Sequence, residues 1–278
     1  MLTRRKEIVW LASFPKSGNT WVRILLSNVM AQSEEAQDVN RLFLQSAIAG
    51  CRVRFEDVML LDSHLLRPEE MECLRPAMHD AYAKELVREE FVKTHDAYTY
   101  SADGTPLLGR AGSRAIYILR DPRDVAISLS HFWGQSVDET IACLNDAQGT
   151  VGPCAKQMRQ RLNGWTGHVE SWLQQRELPV WLVRYEDLLA DTAAALSGML
   201  DFLGFAAERT EIERAVRHSA FAEVKGQEKR NGFREASRGQ PAFFREGRAG
   251  GWRDALTPEQ IEALERVHGS AMRQFGYL

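Results

Sequence analysis

No stretch of this chain approaches the roughly 18 consecutive apolar residues of a membrane-spanning helix, so a membrane span is not expected. Cysteine is scarce: Cys51, Cys73, Cys143 and Cys154 form no C-x-x-C pair. That spacing argues against a disulfide framework or a zinc site and for four ordinary thiols. An excess of charge of one sign is also missing. A net charge of −3 provides no general attraction to nucleic acid or to a membrane surface, so any anion site must come from a local cluster of cations. Internal repeats, low-complexity tracts and a clear linker are absent as well. The 278 residues, 44% hydrophobic and 26% charged, therefore read as one domain over 1–278.

Near the start, Arg4, Arg5 and Lys6 precede an apolar run, Ile8–Phe14. The run is short, lacks a small-residue cleavage pattern and is broken by Pro15, Lys16 and Ser17. It reads as a first β-strand rather than a secretory signal, and a cytoplasmic location is expected. Two further runs, Ala115–Leu119 and Val180–Tyr185, suit buried parallel strands, being rich in β-branched or aromatic residues. Phe91–Val92 adds a short fourth. Helical spacing follows each turn: Trp21, Leu25 and Val29 recur over Thr20–Met30, and Asp121 and Pro122 suit the N-cap and first position of a helix carrying Val125, Leu129 and Phe132.

Thr192–Leu203 and Glu208–His218 also read as helices, and Thr257 with Gln260 forms a capping box before a last one. Between them, Lys225–Arg253 carries eight Lys or Arg against three Glu and shows no apolar periodicity, which predicts a mobile basic loop. Strand–helix alternation predicts an α/β fold with a central parallel β-sheet flanked by helices. In such sheets ligands bind beyond the carboxyl ends of the strands.

The segment Ser13-Phe14-Pro15-Lys16-Ser17-Gly18-Asn19-Thr20-Trp21 lies between the first strand and first helix. A helix N-terminus presents unpaired N–H groups and partial positive charge. Gly18 permits a tight turn, Lys16 adds a point charge, and Ser17, Asn19 and Thr20 add short donors, together a phosphate cradle. It is not the G-x-x-x-x-G-K-[ST] loop of nucleoside triphosphatases, because lysine precedes the glycine. The stretch resembles the 5′-phosphosulfate-binding loop, [TS]-[YF]-P-K-[SA]-G-[TN]-T-W, of the sulfotransferases that use 3′-phosphoadenosine-5′-phosphosulfate (PAPS). That family has a P-loop-like phosphosulfate-binding loop on a parallel sheet, and needs no metal because protein charges replace magnesium.

The family's second signature, an Arg ending a strand and a Ser eight residues on, is matched by Arg120 and Ser128 and implies a 3′-phosphate site. A guanidinium suits phosphate bidentately. Val183-Arg184-Tyr185-Glu186-Asp187-Leu188 is similar to the family's Y-E-D-[LM] stretch, which implies that the Tyr185 hydroxyl lies near the adenine. Ser219-Ala220-Phe221 resembles its T/S-x-F segment, which implies that Phe221 and Trp21 sandwich the purine. Phe243–Trp252 resembles F-x-R-[KR]-G-x-x-G-x-W, so that Arg245 and the backbone at Gly247 would clasp the 3′-phosphate. Glu246 departs from that pattern, standing where a basic residue is common, and Arg248 is a candidate compensating charge.

Sulfuryl transfer, like phosphoryl transfer, needs an in-line geometry, a base for the acceptor hydroxyl and cations around the moving charge. Lys93-Thr94-His95 resembles the K-T-H of the small-molecule members. An imidazole, with a reference pKa of about 6.5, suits a general base. The resemblance implies His95 as that base, Lys93 on the sulfonate and Lys16 on the leaving phosphate oxygen; His131, on a helix face, is the lesser candidate. The implied acceptor is a small molecule with a hydroxyl. Two other functions compete: a P-loop-type kinase of small metabolites, marked by a magnesium requirement, and a nucleotide-binding protein that has lost its chemistry. A nucleic-acid partner is not expected. Arg253–Glu262 resembles the family's K-x-x-x-T-V-x-x-x-E dimer motif with Arg253 for Lys and Pro258 for Val, which leaves open a homodimer or a plain helix cap.

Overall fold

The computed structural model describes residues 6–44, 47–236 and 242–278. In chain order the elements are β1 (Ile8–Ser13), α1 (Asn19–Met30), α2 (Arg52–Met59), α3 (Pro68–Glu85), β2 (Glu90–Thr94), β3 (Gly112–Leu119), α4 (Pro122–Trp133) and α5 (Val137–Asn145). There follow β4 (Thr150–Val151), β5 (Gln160–Arg161), α6 (Gly164–Gln174), β6 (Val180–Arg184), α7 (Tyr185–Ala190) and α8 (Thr192–Leu203). The chain finishes with α9 (Arg209–His218), α10 (Phe221–Asn231), α11 (Trp252–Ala255) and α12 (Pro258–Gln274). The central sheet has the order β2-β1-β3-β6 and is parallel, with flanking helices. No helix among the described residues is long and apolar enough to cross a membrane. Cys51, Cys73, Cys143 and Cys154 all lie outside any disulfide.

The described residues fall into two compact units, one of 6–14, 47–117 and 145–182, the other of 15–44, 118–144, 183–236 and 242–278. In the first, β1 is buried along its whole length, as its unbroken apolar run dictates. It pairs in register with β2, Leu11 opposite Lys93 and Ala12 opposite Thr94, so both strands end together. Trp10, Trp165 and Trp172 are fully buried, and Phe55, Met71, Met78 and Met158 form a satellite core under α2 and α3. Each such side chain contributes about 1.5–3 kcal/mol of burial.

In the second unit, α1 packs on α9, and Ile24, Val39, Leu42, Val224 and Phe244 cluster with Phe221, Phe233 and Phe243. The Asp121 carboxylate caps α4 by accepting from the Arg123 amide, and Thr257 and Gln260 close their capping box on α12.

Two expectations are corrected. The stretch from Lys225 is not loop throughout: 225–231 belongs to α10, and Trp252 opens α11. The buried face of α10 has one apolar residue, Val224, and a polar one, Gln227, whose amide bonds Val39 and Gln37. Apolar periodicity therefore under-reports it. Part of the expected loop, 237–241, lies outside the described residues. The last strand is not fully buried either. At the edge of the sheet, Trp181 on β6 is 38% exposed, and Tyr185 starts α7 instead of ending the strand.

Candidate active site

In the second unit, the turn entering α1 is built on left-handed backbone. Lys16 has φ +67° and Gly18, the N-cap of α1, has φ +107° with no side-chain cap. A Cβ on Gly18 would come within 2.7 Å of the Tyr185 ring, so only glycine fits this turn and this contact. Ser17 is buried and its hydroxyl has no hydrogen-bond partner. An orphaned buried hydroxyl at a helix N-terminus fits an oxyanion ligand. Asn19 and Thr20 are buried on the first turn. The Lys16 ammonium lies 3.7 Å from the Phe243 ring centroid and 4.5 Å from that of Phe132, held by two aromatic faces.

Arg120 ties this turn to the C-terminal segment. Its guanidinium donates to the Lys16 carbonyl at 3.1 Å and to the Arg248 carbonyl at 3.0 Å, and stacks 4.3 Å over Tyr185. Lys16 and Arg248, more than 200 residues apart in sequence, are thereby joined by one side chain. Tyr185 is buried, and that burial raises its phenol pKa. Trp21 meets Tyr185 edge to face and donates from Nε1 to the Ser219 carbonyl at 3.0 Å. The Ser219 hydroxyl is buried and accepts from Asn28 at 3.0 Å. Ser128 is half-buried on α4.

The C-terminal segment is held at both ends by carboxylates. Glu228 accepts from the Phe243 and Phe244 amides at 2.6 and 2.9 Å, and Asp124 accepts from the Gly250 and Trp252 amides at 2.6 and 3.0 Å. Between these clamps stand Arg245, Glu246, Gly247 and Arg248. Gly247 has φ +63°, and a Cβ there would meet the Phe221 ring at 2.3 Å. Glycine therefore lets the Phe221 ring lie against the main chain.

In the first unit, Lys93 and His95 are half-buried at and just beyond the end of β2. The His95 Nδ1 lies 2.8 Å from the Ser13 carbonyl and 3.3 Å from the Ser13 hydroxyl. A carbonyl only accepts, so Nδ1 carries the proton and the neutral ring keeps its lone pair on Nε2. The His95 main chain is braced too. His168 Nε2–H donates to the His95 carbonyl at 3.1 Å, and the Tyr117 hydroxyl donates to His168 Nδ1 at 2.7 Å. Burial pushes His168 down to about 4 and the Tyr117 phenol well up, so both stay neutral. Next in sequence, Asp96 forms a bidentate ion pair with Arg75, both completely buried.

The sequence reading missed His168, Asp124, Glu228 and the aromatic pair at Lys16. His168 could have been found: Trp165, His168 and Trp172 share one face of α6, a polar residue within a buried aromatic stripe. The carboxylate clamps act on main-chain amides, which leave no mark in a sequence pattern.

The sulfotransferase-domain family model matches residues 6–276, nearly the whole chain. The chain belongs to the sulfotransferase family. Rat sulfotransferase 2A6 is 32% identical over 167 residues, 59% of this chain and 58% of that protein. The chain thus spans under two thirds of the length of that relative. Cytosolic sulfotransferase 12 of Arabidopsis thaliana is 25% identical over 264 residues, 92% of this chain and 74% of that one. Two crystal structures share the sulfotransferase fold, each at 20% identity and covering 98% of this chain. Mouse sulfotransferase SULT7A1 complexed with PAP has a TM-score of 0.61 over 86% of its own chain. Retinol dehydratase with androsterone and the inactive cofactor PAP has 0.62 over 82%.

Proposed function

We propose that this chain transfers a sulfuryl group from PAPS to a hydroxyl of a small-molecule acceptor, with residues 1–278 acting as one catalytic domain. The observation that carries the reading is Arg120, which joins the Lys16 turn to the Arg248 segment over Tyr185. Both anion-binding motifs of the family then serve one nucleotide. The 5′-phosphosulfate lies on the α1 N-terminus against Lys16, Ser17, Gly18, Asn19 and Thr20. The 3′-phosphate is met by Arg120, Ser128, Arg245 and the Gly247 backbone. Trp21, Tyr185, Ser219 and Phe221 border the purine, the serine through its main chain.

In the reaction, His95 Nε2 accepts the proton of the acceptor hydroxyl as its oxygen bonds to sulfur. The bond from sulfur to the phosphate oxygen breaks in line, and 3′-phosphoadenosine-5′-phosphate leaves. Lys93 stabilises the sulfonate oxygens and Lys16 the leaving oxygen. Because cations supply the charge along this path, we propose that no metal is required. The compartment we propose is the cytoplasm, and the acceptor class a phenol, alcohol or hydroxylated natural product.

The test is calorimetric titration with 3′-phosphoadenosine-5′-phosphate without magnesium, beside 5′-AMP and ATP. Preference for the bisphosphate is expected. Magnesium-dependent binding of ATP instead would promote a kinase and overturn the reading.

A further inference from the structure

Between the Glu228 and Asp124 clamps, one residue has the wrong charge for an anion site. The Glu246 carboxylate accepts from Arg248 Nε at 2.7 Å through one oxygen and sits 3.4 Å from an Arg245 terminal nitrogen through the other. One carboxylate thus engages two guanidinium groups in the way a phosphate does. Arg248 has a second acidic neighbour, Asp254, at 3.6 Å, but that contact is longer and leaves Arg245 untouched. The main chain here is anchored independently: the Arg248 carbonyl accepts from Arg120, and the Arg245 carbonyl from Lys225 at 3.1 Å. The carboxylate can therefore swing away while the segment stays in place. All three side chains are more than a third exposed, so the ion pairs are weak enough to be exchanged.

We propose that Glu246 is an internal anion that competes with the nucleotide's 3′-phosphate for Arg245 and Arg248. It makes this site a deliberately weak reader of that phosphate. The inference rests on the reading that this segment holds the 3′-phosphate. On binding, Glu246 gives up both arginines and remains as a like charge beside the phosphate. The arginine forks are ready for the ligand, while the occupied state is less stable than the cation count implies. Its consequence is faster dissociation of the bisphosphate product. Glu246 is then a specificity-determining residue, setting how strongly the 3′-phosphorylated nucleotide is preferred over its counterpart without that group.

The experiment compares wild-type protein with E246Q, which keeps the shape and removes the charge. Both are titrated with 3′-phosphoadenosine-5′-phosphate and with 5′-AMP, and bisphosphate dissociation is timed by stopped flow. The bisphosphate should bind E246Q roughly 3- to 30-fold tighter, chiefly through slower dissociation, with 5′-AMP changed less than about 2-fold. E246K should exceed E246Q in the same direction. Equal or weaker bisphosphate binding by E246Q, with an unchanged melting temperature, overturns the proposal and makes Glu246 an organiser of the loop. Equal tightening of both nucleotides also overturns it, because the 3′ position would not be involved. If wild-type protein does not prefer the bisphosphate at all, the underlying reading fails first.

Discussion

The Nδ1–H of His95 donates to the carbonyl of Ser13 at 2.8 Å, so a strand-end main-chain group chooses the tautomer of the imidazole. The choice leaves Nε2 as the basic nitrogen. His95→Ala should lower turnover roughly 10²- to 10⁴-fold while bisphosphate binding stays within about 2-fold. Single-turnover sulfuryl transfer, run beside calorimetry, checks both halves. Normal turnover in the variant removes His95 from the mechanism.

Arg120→Ala should weaken 3′-phosphoadenosine-5′-phosphate far more than 5′-AMP, by roughly 10- to 100-fold. Arg120→Lys should recover only part, since an ammonium cannot reach two carbonyls and lie flat on Tyr185 together. Equal losses for both nucleotides would mean that Arg120 supports the loops without reading the 3′ position.

Gly18→Ala places a methyl 2.7 Å from the Tyr185 ring on backbone at φ +107°. A loss of about 1–3 kcal/mol in urea unfolding is expected, together with weakened nucleotide binding. Unchanged stability would show that the turn rearranges freely.

Tyr117→Phe removes the donor to a buried imidazole nitrogen and should cost about 1–3 kcal/mol. It should also lower kcat with little change in KM for the nucleotide, because the His95 carbonyl is held through His168. A stability loss with intact kcat would confine the Tyr117–His168 pair to packing.

Stability should depend on pH through the buried histidines. Burial pushes His168 and His268 down to about 4, whereas an unfolded chain takes up the proton near 6.5. Between those values the unfolded state binds more protons, so the contribution is complete above about pH 6.5 and is lost as pH falls toward 4. Each group contributes on the order of 3 kcal/mol. Urea midpoints measured from pH 7.5 to 4.5 should fall, and His268→Leu should flatten the slope.

Much of this molecule was legible from residue order. The run Ile8–Phe14 became β1 because an unbroken apolar segment before Pro15-Lys16-Ser17-Gly18 has few other uses. Asp121 and Thr257 became caps because a short side-chain acceptor beside a proline determines where a helix begins. Gly18 was legible because a tight left-handed turn demands one residue type. What escaped notice depends on long-range satisfaction of polar groups. Gln227 on α10 is buried only because Val39 and Gln37 lie across from it, and Asp124 matters through amides 126 and 128 residues away. Trp181 escaped for a different reason: strand order, which no local pattern encodes, left β6 at an edge.

The left-handed backbone of Lys16 carries a consequence for engineering. At φ +67° a side chain is disfavoured and glycine is not, so the lysine stands against local conformational preference. Replacing it by glycine would relax the turn while removing the ammonium that we propose for the leaving oxygen. A selection for thermal tolerance alone would therefore favour loss of this lysine, and a screen that omits activity would drift toward a sturdier, inert protein.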